Sequence, residues 1–584
     1  MKKSFIYFNK VLFLLSNSQK KKIIFIIFFM FISLLVELFG LGLIIPIITI
    51  FIDYDSIQNY KTLSYIFKYF GEPSQFTLII SSIIFIFTFF LIKTITVSFI
   101  LFQQMKFVLN SQSQLSMRLF SFYLKMPYEN FIKLNSSLLL KNITKETQLF
   151  AINCIQPLLL ISSEILIFFG IILFLIFVEP LGALISFICL FIPGFIFYKF
   201  SKNKLINWGY LRMNFDEKRF QMIQDSFGAF KIISIFNKQK FFINKYDDYN
   251  LGSADQDLKL RFIDQLPRLL LELFAIIGLS SLLLALVLQN ANFNNLIPIL
   301  GLFAFAVFRI MPSINRILSQ FTSLRFSDSV IDELYLILNN SDVLELEDNK
   351  TKNKIISNLE NQIELDKVSF KYDGNKNFIL KDIDLKIKKN SKIAIVGSSG
   401  NGKSTLLDLI LGVLKPVSGR ILYDNLDIAK NNLNHLELIG YIPQNIFLID
   451  DTIKNNICFA IDQSEVDVDK LQNAIIKSAL FDFIDSLPNG LNTNVGERGV
   501  RLSGGQIQRI GIARALYHNP KILILDEATS ALDFETEKTI MKSILSLNRD
   551  KTIIVVTHRF ESVKNCDLVY EITNNNLKQK FKLD

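Results

Sequence analysis

Metal-ligand spacing is missing from this chain. Its four cysteines, Cys154, Cys189, Cys458 and Cys566, form no CxxC pair. That excludes a cysteine metal centre and leaves reduced, structural thiols as the expectation. Acid is missing from residues 1–22, which carry Lys2, Lys3, Lys10, Lys20, Lys21 and Lys22, so this end is expected to stay in the cytoplasm. Charge is nearly missing from the next stretch, residues 23–51, interrupted only by Glu37 and Pro46. No small-residue cleavage site follows it, and the run is too long for a signal-peptide core, so it is expected to be retained. With 584 residues, 50% of them hydrophobic, the chain exceeds one core and implies at least two domains, one in a membrane. The net charge of +10 sits in Lys and Arg beside apolar runs, a pattern of membrane flanks and not of a nucleic-acid partner.

Hydropathy along the chain predicts six membrane helices at about 23–51, 77–102, 158–178, 181–200, 267–288 and 296–318, each near the roughly 20 residues a bilayer requires. Residues 53–75, with Tyr60, Leu63, Ile66, Phe67 and Phe70 at helical spacing, read as a short amphipathic helix on the outer surface. The stretches 103–150 and 199–261 are polar and basic and read as two long cytoplasmic excursions. Only Glu179 and Pro180 separate spans three and four, a tight outer turn, and residues 289–292 join spans five and six. An even number of spans keeps both chain ends on one side. Residues 321–338 suggest a helix leaving the membrane, and residues 339–360, rich in Asn, Asp, Lys and Glu, read as a linker. The expected architecture is a membrane all-α six-helix domain over residues 1–338 and a cytoplasmic α/β phosphate-loop domain over residues 361–584.

Gly397, Ser398, Ser399, Gly400, Asn401, Gly402, Lys403, Ser404 and Thr405 follow the apolar run 393–396 and precede a helical one. This G-x-x-x-x-G-K-[ST] loop between strand and helix turns backbone N–H groups toward phosphate oxygens at a helix N-terminus. Lys403 would reach the terminal phosphates, and Ser404 offers a hydroxyl to Mg²⁺. Downstream, the buried-strand run 521–525 ends in Asp526 and Glu527. Asp526 is assigned to the metal and Glu527 to the attacking water. Ser503, Gly504 and Gly505 open a further helix and form another anion-binding cup.

Leu502, Ser503, Gly504, Gly505 and Gln506 resemble the signature motif of ABC transporters. In that family the signature closes over the nucleotide held by the phosphate loop of the other subunit, so two domains sandwich two ATP molecules. The resemblance implies that Tyr372 stacks on adenine and that Gln444 is the Q-loop glutamine touching Mg²⁺. It also implies that residues 530–533 form the D-loop and that His558 is the switch histidine near the γ-phosphate. Residues 493–499, with Glu497, resemble the X-loop of exporters. Six spans ahead of one nucleotide domain is the layout of an exporter half-transporter. A homodimer is the expectation, with a heterodimer with another half-transporter as the alternative. ATP and Mg²⁺ are the implied ligands and the inner (plasma) membrane the implied location.

Cargo is carried by the costly charges inside the spans: Lys93, Arg268, Arg309 and Arg316, with Glu37, Glu164 and Glu272 as acids. Arg309 and Arg316 lie seven apart, on one helical face. Residues 308–317 resemble the sixth helix of bacterial PglK-type flippases for lipid-linked oligosaccharides. In that group, matching basic residues are associated with the lipid pyrophosphate, and Lys93 departs from the arginine found there. The implied cargo is a polyprenyl-pyrophosphate-linked oligosaccharide. A general exporter of lipids, drugs or peptides is the alternative, and an ATP-gated channel or regulatory ATPase is the alternative of another class. The 22 residues before the first span are too few for an N-terminal peptidase domain.

Overall fold

The computed structural model describes residues 2–43, 75–178, 180–288, 293–348, 358–372, 374–398, 400–428, 435–529, 533–545, 550–557, 563 and 566–580, and for 293–309 and 340–348 the backbone alone. The expected outer helix at 53–75, the outer end of the first span and the loop 289–292 lie outside the described residues, as do Glu179, Ser399, residues 530–532 and His558. The chain forms two compact units, residues 1–126 with 130–344, and residues 127–129 with 345–584.

The first unit is helical. Its principal helices are α1 (Lys2–Leu14), α2 (Asn17–Gly42), α3 (Gln75–Lys125), α4 (Gln156–Val178), α5 (Pro180–Gly228), α6 (Gln239–Leu288), α7 (Phe293–Phe326) and α8 (Asp328–Asp348). The helices overrun the apolar stretches that announce them. Between Gln75 and Lys125 there is no Gly or Pro, so α3 continues through the polar segment until Pro127 ends it. α8 likewise covers residues 339–348 of the expected linker, because Val330, Ile331, Leu334 and Leu338 anchor its first turns in the core. Among the described residues, three helical stretches are long and apolar enough to cross a membrane: Asn17–Gly40, Ile79–Lys125 and Ser136–Phe177. The spans expected at 181–200, 267–288 and 296–318 fall on α5, α6 and α7, where many side chains lie outside the described residues. Ile83, Phe87, Ile92 and Ile95 stand exposed along α3, a surface suited to hydrocarbon.

A core joins Val11 and Leu14 of α1 to Met30, Leu119, Phe150, Cys154 and the buried face of α8. Close helix approaches are set by glycine. A Cβ on Gly209 of α5 would lie 1.9 Å from the Phe326 carbonyl oxygen of α7. Cys154, Cys458 and Cys566 are free and buried, as expected of structural thiols, and the Cys189 side chain lies outside the described residues.

The second unit is α/β. An antiparallel sheet has the order β2-β1-β4-β5, formed by β1 (Gln362–Phe370), β2 (Leu380–Lys388), β4 (Ser418–Tyr423) and β5 (Leu426–Asp427). A second sheet runs β10-β9-β3-β8-β7-β6 through β3 (Lys392–Val396), β6 (Ile439–Ile442), β7 (Ile522–Asp526), β8 (Thr552–Val556), β9 (Leu568–Thr573) and β10 (Asn576–Lys580). β3, β8, β7 and β6 are parallel neighbours. β7 and β8 are buried at every position, as parallel strands covered on both faces must be.

Candidate nucleotide site

Parallel pairing explains why motifs far apart in sequence converge. The phosphate loop follows β3, Gln444 follows β6, and Asp526 and Glu527 end β7, so all three leave the same edge of one sheet. In open parallel sheets, ligands bind at that carboxyl edge. The register pairs Val556 with both Ile395 and Asp526, putting the acid level with the base of the loop.

The loop is built by glycine. Gly400 and Gly402 have φ of 85° and 87°, a left-handed conformation that side chains resist. A Cβ at Gly402 would sit 2.8 Å from Ile379 Cγ2, and one at Gly397 would sit 2.8 Å from the Ile572 carbonyl. The Asn401 amide donates to that same Ile572 oxygen at 3.0 Å and ties the loop to β9, a partner that no sequence motif announces. The helix α9 (Lys403–Ile410) then begins at Gly402.

Lys403 Nζ donates to the carbonyls of Gly397 at 2.9 Å and Ser398 at 3.1 Å and lies 4.0 Å from Glu527 Oε1. Burial lowers its pKa, against the opposing pull of Glu527 and Asp526. The ammonium is thus curled over the loop it belongs to, poised among acceptors that a phosphate oxygen can replace. The Asp526 carboxyl is pushed up by burial, held down by a hydrogen bond to Ser404 and pushed up again by Glu527. Gln444 Nε2 donates to Glu527 Oε2 at 2.8 Å. Glu527 has φ of 48° and its N–H donates to the Val556 carbonyl at 2.9 Å. A left-handed glutamate is costly by roughly 1–2 kcal/mol, and this backbone turn aims its carboxylate at Gln444 and Lys403. The structure therefore brings together Gly397, Lys403, Ser404, Gln444, Asp526 and Glu527.

Ser503 caps α10 (Gly504–Tyr517): Gln506 N donates to Ser503 Oγ at 3.3 Å, and Ser503 N donates to Gln506 Oε1 at 2.8 Å. The Ser503 carbonyl accepts from Ile507 N at 3.0 Å, and α10 packs into a core with Ile442, Leu448 and Leu523, apart from the core under α9. Tyr372, half-buried, meets Phe370 edge-on at 5.1 Å. Asp408, on α9, escaped the sequence reading. Burial, with Asp526 nearby, pushes its carboxyl up to about 6.

The donor set fits a nucleotide and its metal. Glycine-limited backbone supplies N–H donors and Lys403 the charge. Ser404 and Asp526 are already hydrogen-bonded to each other, as two oxygens sharing one small cation would be, and Mg²⁺ takes few protein ligands and completes its shell with phosphate and water.

In the first unit, each charge predicted for cargo with a described side chain meets an acid. Lys93 lies 3.0 Å from Glu37, Arg268 3.0 Å from Glu272 on the same helix, and Arg316 3.0 Å from Glu164. The Arg309 side chain lies outside the described residues.

The family model described as ABC transporter matches residues 380–530. A Staphylococcus aureus (strain NCTC 8325 / PS 47) protein named as a multidrug export ATP-binding/permease protein is 44% identical over 221 residues, and the match spans 37% of each chain, little more than a third of that relative's length. The protein named ATP-dependent lipid A-core flippase of Wigglesworthia glossinidia brevipalpis is 29% identical over 467 residues, 77% of each chain. A solved bacterial Atm1-family ABC exporter with ATP bound superposes with a TM-score of 0.75 at 21% identity, covering 97% of this chain and 96% of that one. The fold is that of an ABC exporter, a helical transmembrane domain followed by an α/β domain of the ABC type.

Proposed function

We propose that the chain is half of an ATP-driven exporter and that two copies assemble so that Ser503, Gly504, Gly505 and Gln506 of one close over the nucleotide held by the other. The observation that carries this is the connected set Lys403, Glu527 and Gln444 at the sheet edge, 4.0 Å and 2.8 Å apart along the chain of contacts. In it, Ser398, Ser399, Gly400, Asn401, Gly402 and Thr405 complete the phosphate cradle, Lys403 neutralises phosphate, and Tyr372 stacks on adenine. Ser404, Gln444 and Asp526 are the residues that would hold Mg²⁺, which supplies neutralisation of developing phosphate charge. Glu527 orients and deprotonates water, and His558 acts near the γ-phosphate. The chain sits in the inner (plasma) membrane with its N-terminus and nucleotide-binding domain cytoplasmic, as its basic flanks favour.

The cargo in this reading is an amphipathic lipid with a phosphorylated head, in its most specific form a polyprenyl-pyrophosphate-linked oligosaccharide moved from inner to outer leaflet. Support comes from Lys93, Arg268, Arg309 and Arg316 on membrane helices and from the name of the Wigglesworthia relative. Acid pairing does not oppose it, because a charge kept in hydrocarbon without any partner is costly. Reconstitution in proteoliposomes tests the reading. The parent should flip the pyrophosphate-linked glycan with ATP, and Arg309→Ala with Arg316→Ala should abolish flipping while basal ATPase persists. Equal flipping by the double variant refutes the basic track and leaves a general exporter.

A further inference from the structure

α4, α5 and α7 line a half-open groove of about 260 Å³ with almost wholly apolar walls. Phe191 and Phe195 of α5 stack at 6.4 Å along one wall, Phe168 of α4 and Ile314 of α7 face the same space, and Tyr198 meets Phe321 edge-on at 4.4 Å at one end. Gly194 lies on the wall, where a Cβ would make only ordinary contact, 3.6 Å from Leu318 Cδ1, so a larger side chain is needed to fill the space.

Cations gather where the aromatic wall ends. Lys202 Nζ lies 5.8 Å from the Tyr198 ring centre and the Arg325 guanidinium 5.0 Å from that of Phe321, with Arg325 also paired to Asp328 at 3.4 Å. Arg316, one residue before the wall residue Ile317, is paired with Glu164, one residue before the wall residue Ile165. The pair is asymmetric. The Arg316 side chain is 48% exposed and that of Glu164 only 7%, and the second Glu164 oxygen is buried with no hydrogen-bond partner. The group within reach of a ligand is therefore the cation, and a guanidinium engaged by one carboxylate oxygen keeps donors for a second anion.

We propose that this groove is the subsite for the hydrocarbon tail of the cargo lipid, with its phosphate met by Arg316. The proposal rests on the exporter reading above and names the part of the cargo that the nucleotide site cannot specify. An apolar chain fits walls without polar groups. Lipid phosphate replaces or joins Glu164 at Arg316 because phosphate, like carboxylate, takes the guanidinium fork in two hydrogen bonds.

The test uses the full chain in nanodiscs with undecaprenyl pyrophosphate carrying a photoreactive tail group, and separately the proteoliposome flipping assay. In the parent, crosslinks are expected on α5 and α7 around Gly194. Gly194→Phe, which fills the space, should reduce crosslinking tenfold or more, whereas Gly194→Ala should reduce it little. Arg316→Gln, whose side chain is 48% exposed, should weaken it severalfold with nucleotide binding unchanged, which keeps the test decisive if Gly194→Phe misfolds. Unchanged crosslinking in Gly194→Phe or in Arg316→Gln overturns the subsite. Equal competition by phosphatidylglycerol overturns the cargo as occupant and assigns the groove to membrane lipid. A parent that flips lipid while Gly194→Phe flips it equally sinks the groove alone. A parent that crosslinks but never flips sinks the transport reading alone.

Discussion

Replacing Glu527 by Gln changes one oxygen for an NH₂ and nothing else that the structure uses to hold the residue. The side-chain oxygen still accepts from Gln444, the backbone N–H still reaches Val556, and a left-handed Gln is no more strained than a left-handed Glu. Two electrostatic changes oppose each other. The attraction to Lys403 at 4.0 Å is lost, and the repulsion that helps raise the Asp526 carboxyl disappears. Folding stability should therefore stay nearly level, and nucleotide phosphate should bind at least as well with one negative charge fewer beside it. Turnover has no such compensation. A positioned general base is worth roughly 10²–10⁴ in rate, and at about 1.4 kcal/mol per tenfold that is roughly 3–5 kcal/mol of barrier. Purified Glu527→Gln protein in nanodiscs should bind a fluorescent ATP analogue like the parent and release phosphate at least about 100-fold more slowly. Parent-like hydrolysis would refute the assignment. Loss of nucleotide binding together with turnover would refute the claim that the geometry is preserved.

Asp408 gives a pH-dependent prediction. Its carboxyl is raised to about 6 in the fold from an ordinary value of 3.8, so its contribution to stability is present below pH 3.8 and is lost as pH rises through 6. Asp408→Asn should therefore stabilise the ATPase domain at pH 7–8, by about 1–2 kcal/mol after solvent screening of a half-buried group, with the gain shrinking as pH falls toward 4. Thermal unfolding at several pH values checks this, and a constant or reversed difference refutes it. Gly209→Ala should destabilise the first unit by about 1–3 kcal/mol, because its Cβ would meet the Phe326 carbonyl at 1.9 Å and neither helix backbone yields cheaply. Thermal unfolding in nanodiscs with Gly194→Ala as the comparison decides the matter, and equal midpoints would count against it.

The candidate nucleotide site was legible as a set of motifs because those motifs are local. A glycine loop after a buried strand, or two acids at the end of another, needs only a few contiguous residues to identify it, and parallel strand order then assembles the pieces. What each residue does in three dimensions was less legible. Nothing in the sequence around Glu527 announces a positive φ, and the tether from Asn401 to Ile572 spans 171 residues. Three of the apolar runs fall on helices long and apolar enough to cross a membrane among the described residues, but the ends of those helices were not legible. α3, free of Gly and Pro, runs through its polar half to Lys125, and α5 and α6 run on through Pro193 and Pro267.

The polar excursions show the limit of periodicity most sharply. The stretches 103–150 and 199–261 read as cytoplasmic excursions, and that pattern does not reveal that Lys141, Glu146, Arg212 and Asp216 within them are buried. Lys145 lies 2.7 Å from Asp216, Arg219 lies 3.0 Å from it, and Lys141 reaches Glu333 of α8 at 3.4 Å. The partners are 71 residues apart in the first case and 192 in the last, which no window of local pattern can join. The network is also loose. The closest cations to Glu146 are at 3.8 Å and 4.0 Å, and neither of its oxygens makes a hydrogen bond. A buried ionic cluster of this kind adds little net stability, because desolvation offsets attraction, but removing one member strands a charge at about 3–5 kcal/mol. Two π-helical turns, Asn142–Glu146 and Ala151–Ile155, flank or include its members and shift the helix register there, as π turns often do near functional elements. The cluster therefore fixes which faces of α5, α8 and the segment before α4 meet, while the apolar core beside it, with Phe150, Cys154 and Leu334, supplies the stability.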